Sequence, residues 1–272
     1  MNNSSKLEKS KGVVVFAFNT KVDYVAIADQ TSKLIRHNLK LPITLITDHD
    51  AAPEFEYDHV IRIDPQGATY RTENANVQWR NFGRYLAYEL SPYDETILLD
   101  TDYLVLDDSL LKLFDTDWDY KLMHHNTDEN GPSLEMMGPA SLPFIWATVV
   151  LFRKSVRAQA LFDMVGKIQR NYHYYRLLYN IRDGNYRNDY AFAIANIVLS
   201  GYDINEQHGI PWKMFTLTNK VATISPTTSF LAVKFVDRTP ICAALQNVHV
   251  MDKEYLQSEN FKELVRTICE ST

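Results

Sequence analysis

Two aspartates spaced i, i+2, Asp100 and Asp102, close the apolar run Ile97-Leu98-Leu99 and are followed at once by a second, Tyr103-Leu104-Val105-Leu106. In an extended segment a period of two puts both carboxylates on the same side. Clustered carboxylate oxygens suit a hard divalent cation, and such cations commonly bridge to the phosphates of a bound substrate. The end of a strand in an open α/β sheet is also where those folds bind ligands. The competing reading is that Asp100 and Asp102 merely cap a turn, where aspartate is common. Asp107-Asp108, a few residues on, read as N-cap and dipole partners of a short helix through Leu110, Leu111, Leu113 and Phe114 rather than as ligands.

The segment Trp79–Phe114, with its basic residue Arg84, its apolar strand, Asp100-Thr101-Asp102 and a closing Leu113-Phe114, resembles the core of GT-A-fold glycosyltransferases, in particular the glycogenin-like and galactosyltransferase-like retaining family. Three other pieces agree in order and spacing. Val13 to Asn19 resembles the first nucleotide-binding strand, Asn188-Asp189-Tyr190 the turn that faces the donor sugar, and Asn247 to Lys253 the C-terminal histidine segment followed by lysine. The likeness spans most of residues 12 to 256.

The resemblance implies a set of roles. Asp100 and Asp102 fall on the family's Asp-x-Asp motif, and His249 would complete a metal cage with them. Imidazole suits Mn²⁺ better than Mg²⁺, so the set leans to manganese, with Mg²⁺ the alternative. The ion would neutralise a departing nucleoside diphosphate electrostatically, without proton transfer. Lys253 would meet the diphosphate as a flexible point charge. Here Lys253 is followed by Glu254-Tyr255, where the family has Pro-Trp. Arg84 is placed near the sugar nucleotide; alternatively it is a helix-surface arginine paired with Glu89 or another acid. Asp189, with Asn188 before it, would hydrogen-bond donor-sugar hydroxyls near the reacting carbon, although Asn-Asp ahead of Tyr190-Ala191-Phe192 is equally a helix N-cap. Phe18, Asn19, Thr20 and Tyr24 would contact base and ribose, with Tyr24 stacked on the base. Asp48 at the end of the second strand would reach uracil or ribose, or serve as an ordinary turn residue. Taken without the family, His249 reads as a half-buried strand histidine. Trp146-Ala147-Thr148 departs from the Asn-x-Gly-type turn of relatives, so the sugar's identity does not carry over.

These residues need a scaffold, and the pattern predicts one. Residues 13 to 18 form a continuous apolar β-run, as in a central parallel strand. Val25, Ile27, Ala28, Leu34 and Ile35 suit an amphipathic helix over 22–39. Strands over 43–47 and 60–63 follow, which makes a Rossmann-like half. A helix over 74–90 precedes the strand that ends at Asp100. The stretch from Asn126 to Pro143 lacks periodicity and carries Gly131, Pro132, Gly138, Pro139 and Pro143; a structureless loop of that length is a binding loop, a lid or disordered. A strand over 145–152, one long helix over 155–179, a helix over 189–199, short strands and a final helix over 253–269 complete the chain. The expected fold is α/β, a GT-A Rossmann-like unit with a mainly parallel mixed central sheet flanked by helices. Residues 1–11 read as a flexible tail. Residues 12–272 read as one catalytic domain, with a donor-binding half over 12–110 and an acceptor half over 111–272. The cluster Tyr172-His173-Tyr174-Tyr175 reads first as helix packing and second as an acceptor platform. His124-His125, as strand neighbours, face opposite ways and do not share a ligand.

With 272 residues, 46% apolar and 23% charged, the composition is that of an ordinary globular chain. A net charge of −6 argues against a strongly basic nucleic-acid footprint, leaving room only for a local patch. Cys242 and Cys269 give no disulfide framework and no zinc spacing. The N-terminus has no apolar signal core and no run approaches a membrane span. Beside the resemblance, this points to a cytoplasmic bacterial or viral enzyme. The expected activity is metal-dependent transfer of a hexosyl or pentosyl group from a nucleotide sugar, UDP-linked, to a hydroxyl acceptor with retention. The acceptor is a glycan, a protein or a hydroxymethylated base of phage DNA, which the net acidity slightly disfavours. A sugar-nucleotide nucleotidyltransferase is the rival enzyme, but residues 16–24 lack the glycines its phosphate loop needs. A non-catalytic carbohydrate- or protein-binding module is the third reading, disfavoured by intact Asp100, Asp102, His249 and Lys253.

Overall fold

Val13, Val14 and Val15 are wholly buried in strand β1 (Lys11–Phe16), so both faces of the strand are covered and the run is apolar without alternation. The computed structural model describes residues 9–64, 69–71, 77–79, 81–133, 136–137, 142–182, 184–203 and 208–270. From β1 the chain passes Asp23, whose carboxylate caps the Ala26 amide, into α1 (Tyr24–Leu39), then β2 (Ile43–Thr47) and β3 (His59–Arg62). A hairpin of β4 (Thr69–Arg71) and β5 (Val77–Trp79) leads to a 3₁₀ helix, Asn81–Leu86, and to α2 (Ala87–Leu90). Next come β6 (Glu95–Leu99) and β7 (Tyr103–Leu104), separated only by the three residues Asp100-Thr101-Asp102. A second 3₁₀ helix, Ser109–Asp115, precedes β8 (Tyr120–Met123), β9 (Asn126–Asp128), β10 (Gly131–Pro132), β11 (Met136–Met137), β12 (Leu142–Pro143) and β13 (Trp146–Arg153). The remainder is α3 (Val156–Arg170), α4 (Tyr172–Leu178), α5 (Asn188–Leu199), β14 (Met214–Leu217), β15 (Val221–Pro226), β16 (Phe230–Phe235), β17 (Ile241–Ala244), β18 (Val248–Val250), α6 (Lys253–Leu256) and α7 (Glu259–Glu270).

The main sheet runs β3-β2-β1-β6-β13-β8; β3, β2, β1 and β6 are parallel, and β13 is antiparallel to both its neighbours. Period-two alternation divides its core in two. Val14, Phe16 and Leu98 pack towards α3 and α5, against Phe162, Val165 and Phe192. Val13, Val15, Ile97 and Leu99 face α1, against Val25, Ala28, Ile35 and Leu39. The protein is therefore α/β, with a mixed, mainly parallel sheet covered by helices on both faces. A second sheet, β10-β9-β14-β18-β7, joins the C-terminal strands to the segment just after Asp102. In it His249 lies opposite Tyr103, and the Val250 amide donates to the Asp102 carbonyl at 2.9 Å. That register carries a residue from near the C-terminus to the end of β6.

Several elements differ from those the pattern predicts. Instead of one helix over 74–90 there are β5, a 3₁₀ helix and the short α2; the buried Arg84 is fixed by its contacts on Asp100 and Thr148, a tertiary demand that overrides local propensity. The long helix over 155–179 breaks at Asn171, whose side chain and amide both return to the Lys167 carbonyl. The final helix breaks before α7, where the Ser258 hydroxyl accepts from the Phe261 amide at 3.3 Å. Between Asn126 and Pro143 the described residues form four short strands rather than a structureless loop; Asn126 ties the segment by donating to Ser133 Oγ at 2.7 Å. β1 begins at Lys11, and Ser10 is bonded to the Asp94 carboxylate at 2.9 and 2.8 Å, so this end of the expected tail is held; residues 1–8 lie outside the described residues. Asp107, not Asp108, makes the turn bond before the second 3₁₀ helix, accepting from the Ser109 amide at 2.9 Å. Among the described residues no helix is long and apolar enough to cross a membrane.

Candidate functional site

A cavity opens at the carboxyl ends of β1 and β6, where the sheet delivers Phe16, Phe18 and the Asp100–Asp102 turn. β18 and α6 supply His249, Met251 and Lys253; β13 supplies Trp146, Ala147 and Thr148; and α5 supplies Asn188 and Asp189 at its first turn.

At one end, Asp102 is the centre. Its Oδ2 accepts from Lys253 Nζ and lies 3.4 Å from His249 Nε2, while its Oδ1 is buried with no partner among the described residues. Burial opposes ionisation of Asp102, yet Lys253 and then His249 hold its carboxyl well below the usual carboxylate range. Behind His249 stands a buried hydroxyl: Thr216 Oγ1 is 2.7 Å from Asn126 Oδ1 and 3.3 Å from His249 Nδ1. The threonine has one proton, and Asn126 Oδ1 accepts it. The contact with His249 therefore requires Nδ1 to be the donor. That tautomer leaves Nε2 as the nitrogen turned to Asp102, where a lone pair facing a carboxylate oxygen calls for a proton or a cation between them.

Asp100 belongs to a different pair. Its Oδ1 accepts from Arg84 Nη1, and Arg84 is 1% exposed whereas the Asp100 side chain is 29% exposed to the cavity. Burial pushes the Asp100 carboxyl up, and Arg84 pulls against it. Arg84 is thus neither a surface arginine nor a partner of Glu89. Among the described residues no three of His, Cys, Asp and Glu are gathered as a metal cluster. The expected trio is instead a close pair, Asp102 with His249, and Asp100 beside it on its own arginine. The unpartnered Oδ1 of Asp102 and the orientation of His249 Nε2 fit a divalent ion; Asp102 and His249 are the residues that would hold it, with Asp100 next.

At the other end, Asp189 is held on both oxygens. Oδ2 accepts from Arg187 Nε at 3.0 Å and Nη2 at 2.8 Å, and Oδ1 accepts from the Ala147 amide at 2.9 Å. Arg187 lies over the rings of Tyr190 (5.4 Å) and Phe144 (6.0 Å), and Phe144 packs on Trp146 at 4.9 Å. Trp146 Nε1 is buried without an acceptor among the described residues. Asn188 is buried and accepts from the Tyr186 hydroxyl at 3.1 Å, a contact that fixes the start of α5.

Of the residues singled out in the sequence, Phe18, Tyr24, Arg84, Asp100, Asp102, Asn188, Asp189, His249 and Lys253 line this one cavity. Asn19 and Asp48 do not. Asn19 Oδ1 accepts from the Val25 amide at 2.9 Å and shapes the entry to α1, and the Asp48 carbonyl accepts from Arg62 at 3.0 Å in a turn. Arg187 was not legible as a site residue; its one signal is a guanidinium two residues before Asp189, just ahead of the helix that Asn188 opens.

No protein-family model and no curated protein matches the sequence. Among solved structures, the chain is similar to the galactosyltransferase LgtC bound to donor and acceptor sugar analogs (17% identical, TM-score 0.47, covering 68% of this chain and 70% of that one). It is also similar to the glycosyltransferase GlyE of Streptococcus pneumoniae TIGR4 (17%, TM-score 0.40, 74% of this chain, 45% of that one). A third is mouse xyloside xylosyltransferase 1 (13%, TM-score 0.44, 71% and 83%). The chain spans under half of GlyE.

Proposed function

We propose that this chain is a GT-A-type glycosyltransferase that moves a sugar from a nucleotide diphosphate sugar to a hydroxyl acceptor. One observation carries the reading: a single cavity at the carboxyl ends of parallel strands has a phosphate-type end and a sugar-type end. Lys253, His249 and Asp102 make the first. Asp189, Arg187 and Trp146 make the second. Tyr24 and Phe18 border the cavity from the β1 side and offer aromatic faces to a base.

In this reading Lys253 turns from Asp102 to the leaving diphosphate, where its charge stabilises the negative charge that develops as the glycosidic bond breaks. A divalent ion, Mn²⁺ or Mg²⁺, held by Asp102 and His249 would add electrostatic neutralisation of the same diphosphate. Arg84 fixes the Asp100 carboxyl and pulls against the burial that raises it. Asp189, clamped by Arg187 and the Ala147 amide, presents its remaining lone pairs to sugar hydroxyls near the reacting carbon, and the Trp146 N–H donates to another. The donor is read as UDP-linked, and the outcome as retention, in keeping with the family the sequence resembles.

The test is a thermal-shift series over UDP, GDP, CDP and their sugars with and without Mn²⁺, followed by donor hydrolysis. A rise in melting temperature for a UDP-sugar that grows with Mn²⁺, with slow release of UDP, is the expected result. Equal response to all nucleotides, or none, sinks the reading.

A further inference from the structure

Four of the ten large apolar side chains exposed among the described residues gather in one place: Tyr174, Leu177 and Leu178 on α4, each at least 57% exposed, and Tyr202, 61% exposed, at the end of α5. Positions 174, 177 and 178 share a helix face. The Tyr202 hydroxyl lies 2.9 Å from that of Tyr179, which joins the two segments into one patch. The other side of α4 is the packed one, with Tyr172 buried edge-on to Tyr186 at 5.5 Å. The tyrosine cluster thus divides into an inward anchor and an outward patch.

The charge of this stretch runs against that of the chain. Residues 170–182 carry Arg170, Arg176, Arg182 and His173 and no acid, in a protein of net charge −6. Arg170 and Arg182 are exposed, and Asp203 is the acid beside Tyr202. An exposed group of tyrosine and leucine rimmed by arginine has the chemistry of an interfacial helix: apolar side chains enter the headgroup boundary and arginines meet anionic headgroups. We propose that α4 and the end of α5 dock on an anionic lipid bilayer.

The test is co-sedimentation of the full chain with phosphatidylcholine vesicles, with and without phosphatidylglycerol. Binding only to the anionic vesicles, falling with salt, is expected. Arg170→Glu with Arg182→Glu should weaken it at least about tenfold, as should Leu177→Ser with Leu178→Ser, while melting temperature and turnover of soluble acceptor stay unchanged. Should a double variant fail to fold, the single exposed change Leu177→Ser and the vesicle-composition series still decide. No binding to anionic vesicles, equal binding to neutral ones, or undiminished binding of folded variants overturns the proposal. So does a concentration-dependent dimer, broken by Leu177→Ser, that binds no vesicles.

Discussion

Arg187 donates twice to one oxygen of Asp189, through Nε and Nη2, while the other oxygen takes the amide of Ala147. The carboxylate is therefore fixed in orientation by two elements, the entry of α5 and the start of β13. A group that must meet sugar hydroxyls near a reacting carbon gains from such fixing, because misplacement by an ångström can cost about a hundredfold in rate. Arg187→Ala should lower kcat by roughly ten- to a hundredfold while nucleotide affinity changes little, and Arg187→Lys should restore part of the loss. Steady-state kinetics beside calorimetric titration with the nucleotide checks the split. Loss of nucleotide affinity with kcat unchanged would show that Arg187 serves the nucleotide and not Asp189.

The Asn126–Thr216–His249 line makes a separate prediction. Thr216→Val keeps the side-chain shape but removes the acceptor for His249 Nδ1–H. The ring then loses what fixes its tautomer, and Mn²⁺ affinity should fall about ten- to a hundredfold, the usual effect of losing such a partner. Titration of Mn²⁺ followed by electron paramagnetic resonance reads this directly, without turnover. His249→Ala should abolish the same binding. Identical Mn²⁺ affinity in both variants and the parent would remove His249 from the metal site.

Lys253 and Asp102 lose function for different reasons. Lys253→Ala removes the cation proposed to meet the leaving group and should lower turnover on the order of 10² to 10³. Asp102→Ala should remove the Mn²⁺-dependent part of nucleotide binding and leave the fold intact. If Asp102→Ala retained full turnover in excess chelator, the metal reading would fail.

The residues that line this cavity differ in how plainly the sequence marks them. Asp100 and Asp102 stood out because a strand-end carboxylate pair is a local pattern, and the strand itself is a plain apolar run. The clustering of His249 and Lys253 with them was implied only by resemblance, since the pairing of β18 with β7 joins residues about a hundred and fifty apart in sequence. The burial of Arg84 has the same origin: it follows from its bonds to Asp100 and Thr148, and Arg187, which the sequence does not mark, acts through Asp189. Asn19 and Asp48 lie outside the cavity, in a cap and a turn; residues that end strands take such places whether or not a ligand is near. The breaks at Asn171 and Ser258 turn on single side chains bonding to backbone, which hydrophobic periodicity does not register.

Gly12 offers a test of the sheet that carries the site. A Cβ there would overlap the ring of Tyr93, whose hydroxyl is bonded to Thr44 at 2.9 Å in the buried core. The ring is held at both ends and has little room to yield. Gly12→Ala should destabilise the protein by about 1–3 kcal/mol through overpacking, measured by urea unfolding, with the slope of the transition unchanged.

The last prediction separates structure from chemistry in the Arg84–Asp100 pair. Arg84 is 1% exposed, so its charge has no solvent to turn to, whereas the Asp100 side chain is 29% exposed and faces the cavity. Breaking a buried pair costs most on the side that leaves a charge without compensation, on the order of 3–5 kcal/mol. Asp100→Ala should therefore unfold at clearly lower urea than the parent, because among the described residues it leaves the guanidinium only the Thr148 carbonyl, at 3.4 Å. Arg84→Met should be milder, since the aspartate it leaves keeps access to water, and the double change should recover part of the loss of Asp100→Ala. A urea series over the four proteins gives the coupling. If Asp100→Ala matched the parent in stability, Arg84 would have another counter-charge and Asp100 would be free to serve the ligand alone.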